Sequence, residues 1–178
     1  MEHLLEAIVA AAVLWAALED LLFRRIPNAS VAVILVSELL ALGWALSHGA
    51  GASDLSGAGT GALWALGILA VGFGLFLFGK MGAGDVKLAA ALGLWLGADA
   101  PLLLIVMSLC GGLLVIGLPL LRMLEVRLGL FAAGLAVKTG RPLKRTPVGL
   151  LPDAERAGIP YGPAIAAGYF ALLIHSHF

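Results

Sequence analysis

The chain has 178 residues with eleven basic and eleven acidic side chains, and 61% of it is hydrophobic while only 12% is charged. Soluble domains carry roughly a quarter charged residues, so this composition, with a mean hydropathy of +1.05, excludes that class. Zero net charge likewise gives a nucleic-acid partner no electrostatic footing. The apolar runs are long and unbroken, unlike the ten-residue alternating strands of a membrane barrel. In lipid the backbone must then satisfy itself within helices. The expected fold is all-α: a polytopic membrane helical bundle of about six transmembrane helices, with residues 1–178 forming one transmembrane domain.

Six apolar segments follow one another. The first, Leu4–Phe23, ends acidic at Glu19 and Asp20. It has Glu2 and Glu6 where a secretory signal peptide is basic, so it reads as a retained span. Pro27 and Asn28 supply the stop and restart before the second segment, Ala29–Leu46, which holds Glu38 near its middle. A Gly-rich connection, His48–Gly57, leads to the third, Ala58–Phe78. A second one, Gly79–Asp85, leads to the fourth, Val86–Ala98. At thirteen residues the fourth is short of the roughly twenty that a span requires, so it must be short, tilted or shielded by neighbours. The fifth is Pro101–Leu121. A long loop, residues 122–159, contains a mildly apolar stretch, Val126–Val137, suited to an amphipathic helix on the membrane surface, then a Pro-rich basic stretch, Thr139–Pro152, that reads as loop or extended chain. The sixth segment runs from Pro160 to about Ile174.

Charge orients this map. Arg24 and Arg25, Lys80 and Lys87, and the seven basic residues from Arg122 to Arg156 fall in or beside alternate connections. The opposite ends carry Glu2, Glu6, Asp54 and Asp99 and no Lys or Arg. By the positive-inside rule the long loop is cytoplasmic and both termini are outside. Spacings such as Gly57/Gly61, Gly93/Gly97 and Gly158/Gly162 suit close helix packing. The lone Cys110 reads as a buried thiol, and neither a disulfide framework nor a Cys-rich zinc site is possible within one chain. The four histidines, at 3, 48, 175 and 177, map to the outer side.

This topology puts Asp20 and Asp85 at similar depth on the cytoplasmic side. Carboxylates in or near hydrocarbon are expensive unless paired, wetted or functional. Two carboxyl groups sharing one proton can hydrolyse a peptide: the ionised member activates water and the protonated member donates to the scissile carbonyl. Such a pair titrates as a unit. Structural roles remain open for both residues. Asp20 can pair with Arg24 at i+4, and Asp85 can cap the fourth segment or pair with Lys80 or Lys87. Glu19 faces about 100° away from Asp20 on a helix. Two other functions also fit these residues: a cation transporter or channel using Asp20, Asp85 and Glu38, and a non-enzymatic assembly scaffold.

Around the acids the chain reads D-L-L-F-R-R-I-P-N at Asp20–Asn28, M-G-A-G-D-V-K-L-A-A-A-L-G at Met81–Gly93, and I-P-Y-G-P-A-I-A-A-G at Ile159–Gly168. Together, and in this order, these resemble type IV prepilin peptidases of the GxGD group of membrane aspartic proteases, in particular the short branch serving Flp/Tad-type pili. The resemblance covers nearly the whole chain. It implies catalytic aspartates at Asp20 and Asp85 and an endopeptidase that cuts after a glycine. Its substrates would be prepilin or pseudopilin precursors, whose basic leader lies in the cytoplasm and whose apolar helix stays among the lipids of a prokaryotic inner membrane. Longer members carry a cysteine-rich zinc insertion. None is present here, so no metal or other cofactor is expected, and methyltransferase activity is not implied. Gly82 and Gly84 would permit a tight turn that brings Asp85 close to another backbone. Lys87 would tune the charge of the site, and Pro27 and Asn28 would shape it.

Overall fold

The computed structural model describes residues 2–49, 51–139, 143, 145–151 and 159–177. Among these residues seven α-helices follow in order: α1 (Glu2–Phe23), α2 (Asn28–Ser47), α3 (Ala52–Leu77), α4 (Ala83–Leu96), α5 (Ala100–Ile116), α6 (Leu118–Thr139) and α7 (Gly162–His177). Tight 3-10 turns lie at Gly97–Asp99 and Val148–Leu150, and the described residues contain no strand. The protein is an all-α bundle of membrane type. Among the described residues, three stretches are long and apolar enough to cross a bilayer: Asn28–Ser47, Leu55–Leu77 and Ala83–Ile116.

The last of these is not one rod. Val86 and Leu104 line the same cavity, yet eighteen residues of straight helix would hold them about 27 Å apart. The chain reverses at the 3-10 turn, where Gly97 takes a φ of +57°, a left-handed conformation that glycine adopts without steric cost.

α4 is the hub, packed against α2, α3, α5 and α7. Val86 and every residue from Leu88 to Gly93 are buried. Its fourteen residues extend about 21 Å, less than the roughly 30 Å of hydrocarbon in a bilayer. Its neighbours shield it, which meets one condition set by the short fourth segment. Small side chains, including Ala12, Ala16 and Ala17 of α1, Ala89, Ala90 and Ala91 of α4, and Ala164 and Ala166 of α7, are interspersed with large ones in the core. Such residues let helix backbones approach closely. Gly61 of α3 lies directly against the Leu94 carbonyl, and Gly93 of α4 lies against the Ile68 side chain. Large apolar side chains, Leu63, Val71 and Phe78 among them, are exposed. An apolar exterior of this kind suits lipid contact.

Several boundaries differ from the sequence expectation. The fifth segment does not continue to Leu121. It stops at Ile116, and a separate helix, α6, begins at Leu118. Pro119 accounts for the break, because it lacks an N–H and its ring clashes with the preceding turn of a continuous helix. The expected loop from Arg122 therefore begins inside α6, a 22-residue helix that contains the stretch read as amphipathic. Its buried residues Leu121, Glu125 and Gly129 recur every four positions and form one inward stripe. Helix α3 starts at Ala52, which shortens the Gly-rich link after α2. Within the Pro-rich stretch the described residues include the 3-10 turn. Pro147 and Val148 are buried beneath α6, with Gly149 against the Glu125 backbone. Gly158 lies outside the described residues.

Candidate active site

Both acids lie at one end of the bundle. Asp20 occupies the last turn of α1 and is 7% exposed. Asp85 occupies the first turn of α4 and is half-buried. The connecting segments bring them together. After Phe23, the Arg24 N–H donates to the Asp20 carbonyl at 2.9 Å, and Arg24 takes a φ of +51°, ending the helix with a left-handed residue. Ile26 then turns inward. A side chain at Gly84 would meet the Ile26 Cβ at 3.0 Å, so the R-R-I-P-N segment lies across the G-A-G-D turn. Pro27 opens α2 in extended conformation, and its carbonyl accepts the Ser30 hydroxyl at 2.8 Å.

The two carboxyl groups are within electrostatic reach of each other, but their surroundings differ. Asp20 Oδ2 accepts the Gly162 N–H at 2.8 Å in a buried hydrogen bond, and the positive charge of Arg24 also acts on this carboxyl. Asp85 receives a backbone hydrogen bond from Gly82, while its Oδ1 is buried with no hydrogen-bond partner. A Cβ at Gly82 would sit 2.7 Å from Asp85 Oδ2, so that glycine keeps space for the carboxyl group.

The structural alternatives read from sequence take a different form. The guanidinium of Arg24 is turned to Glu125 of α6, with Nη2 2.6 Å from Oε1, instead of pairing with Asp20. Gly82, and not Asp85, is the capping residue of α4. Asp85 has no ion pair with Lys80 or Lys87 among the described residues, and Lys87 is exposed, as is Asn28. Sequence reasoning passed over Glu125, which is 2% exposed. Burial pushes its carboxyl above the ordinary value, against the pull of Arg24 and Arg122. Burial likewise lowers the Arg24 guanidinium, and Glu125 and Asp20 oppose that change. The Nε and Nη1 of Arg24 face no acceptor among the described residues.

A cavity of about 560 Å³ opens at the same end, lined by Trp15, Glu19, Phe23, Ile26, Pro27 and Arg145 among others. Asp20 is not among the residues that line it. Glu38 belongs elsewhere, beside a cavity shared with Gly57, Trp95 and Gly97, toward the opposite end of α4. His3 begins α1 and His175 lies near the end of α7, both far from the acids along their helices.

The match that decides the family covers residues 7–116 and takes in both acids: it is the type IV leader peptidase family. The chain belongs to that family. No curated protein and no solved structure matches it. As a leader peptidase family member the protein is a peptidase, and its long apolar helices have the length and composition of membrane spans. The matched region ends where α5 ends. The leader peptidase match therefore holds the R-R-I-P-N and G-A-G-D segments but not α6 or α7. The partner of Arg24 and the hydrogen-bond donor to Asp20 both come from beyond it.

Proposed function

We propose that this protein is an aspartic endopeptidase that removes the cytoplasmic basic leader of prepilin-like precursors by cutting after a glycine, with Asp20 and Asp85 as the catalytic pair. One observation carries this reading: two inward-facing acids from different helices stand within electrostatic reach at one end of the bundle, in unequal surroundings. Unequal environments are what let one carboxyl act as base while its neighbour acts as acid. Family membership supplies the reaction class, and Gly82 and Gly84 act as shaping residues by keeping the turn free of side chains. The reading places one peptidase domain of six spans in a prokaryotic inner membrane, with both termini outside. Helix α6 and the Pro-rich segment then lie in the cytoplasm, where the leader is.

A cation path through Asp20, Asp85 and Glu38 is less well supported. Ten residues of α4, about 15 Å, separate Asp85 from Trp95 beside Glu38. The interval contains Leu88, Ala89 and Leu92, each 0% exposed, so the buried face of α4 between the two acids is apolar. A scaffold role would leave the burial of both acids without a purpose.

Co-expression with a prepilin-like precursor tests the proposal. The wild-type chain is expected to yield a leader-sized mass loss ending after glycine. Asp20→Asn and Asp85→Asn should each remain in the membrane and leave the precursor intact. A mutant that processes at the wild-type rate would remove that residue from the catalytic pair.

A further inference from the structure

The I-P-Y-G-P segment has no role in the chemistry described so far, yet it reaches Asp20. The Gly162 N–H donates to Asp20 Oδ2 at 2.8 Å. A Cβ at residue 162 would stand 2.7 Å from the Asp20 Cβ and 3.0 Å from Oδ2, so glycine is required for this approach. Gly162 is the first residue of α7, whose free N–H groups and dipole favour a negative charge at that end.

Asp85 also lies at a helix start and also has a backbone donor, so helix ends do not distinguish the acids. Two other features do. Arg24 acts on Asp20, whereas Lys87, near Asp85, is exposed. Asp85 Oδ1 is buried with no hydrogen-bond partner, an arrangement costly for an ionised carboxylate and met by a proton that this oxygen can present to substrate. The charged and titratable groups facing Asp20 are Arg24 at the end of its own helix, Asp85 from α4 and Glu125 from α6. α7 contributes only its backbone.

Resting on the catalytic pair proposed above, we infer that Gly162 is a positioning residue whose N–H holds Asp20 ionised as the base, leaving the shared proton on Asp85. Water then attacks the scissile carbonyl carbon. Its proton passes to Asp20, and the proton of Asp85 passes to the carbonyl oxygen, giving a neutral gem-diol. As the C–N bond breaks, Asp20 returns its proton to the leaving amine, and one diol hydroxyl gives its proton to Asp85. Both carboxyl groups regain their starting states.

Replacing Gly162 with glycolic acid converts the amide N–H to an ester oxygen without adding a side chain. The expected result is a kcat lower by about tenfold to a hundredfold, the cost of a lost charge-assisted hydrogen bond. KM should stay within about twofold, and the acidic limb of the kcat–pH profile should move to higher pH. Gly162→Ala adds the clashing Cβ and should do worse. Unchanged kcat and pH profile in the ester variant would overturn the role of Gly162. Infrared difference spectra at neutral pH provide a measurement that does not depend on turnover. The protonated-carboxyl band should be lost in Asp85→Asn and kept in Asp20→Asn. Loss in Asp20→Asn alone reverses the assignment. An Asp20→Asn enzyme that still cleaves would instead defeat the catalytic pair itself, a separate failure.

Discussion

The two ends of α4 treat carboxylates in opposite ways. At its start, Asp85 and Asp20 come from different helices, are turned inward, and receive backbone hydrogen bonds from Gly82 and Gly162. Near its other end, Glu38 is a single half-buried acid beside a cavity shared with Gly57 and Trp95, with burial as the dominant influence on it. An acid in a membrane-type bundle is thus not a site by its presence alone. The difference lies in convergence: at one end two loops, one helix terminus and a buried ion pair close on a pair of acids, while at the other end no hydrogen bond or ion pair meets Glu38 among the described residues.

The contrast breaks most sharply if Asp85→Asn is not close to inactive. The expected loss in kcat is about 10⁴-fold, as for removal of one member of a catalytic unit, read by precursor processing in detergent. Glu38→Gln processing at that same low level would equally erase the distinction between the ends. Next in size is the ion pair above the acids. Arg24→Ala leaves the buried Glu125 without its ion-pair partner, with only the more distant pull of Arg122, and should cost about 3 kcal/mol in reversible unfolding. Adding Glu125→Gln should recover much of that loss, and a double mutant no better than the single would show that the pairing is not what stabilises this end. Gly61→Ala pushes a methyl group against the Leu94 carbonyl and should destabilise by about 1–3 kcal/mol. It tests the helix packing while leaving the acids untouched. The smallest effect is expected of Glu38→Gln, with processing within about twofold of wild type because it removes no hydrogen bond.

Much of the end that carries Asp20 and Asp85 was legible because its signals are local. Asp20 and Asp85 stand in short motifs of distinctive composition, and the alternation of basic connections placed them on one side. Gly162 was passed over as a packing residue because what it contributes is a backbone N–H, which side-chain chemistry does not advertise. Glu125 was hidden for another reason. Its partner is 101 positions away, and a single acid in a basic region has no periodic signature. The early start of α3 was missed because Gly49, Gly51 and Gly57 made His48–Gly57 read as a connection by propensity. Packing against α4 overrides that weak preference, and Thr60 bonds back to the Ser56 carbonyl at 2.9 Å within the helix. The end of α5 was in plain view as Gly117-Leu118-Pro119, but the hydropathy of the flanking residues runs straight through it.

Arg24 joins two kinds of structure within a single residue. Its backbone N–H is bonded to Asp20 and its guanidinium to α6. The last turn of α1 is thereby tied to α6 at its backbone carbonyl, so one residue anchors the peripheral helix to the mouth of the bundle.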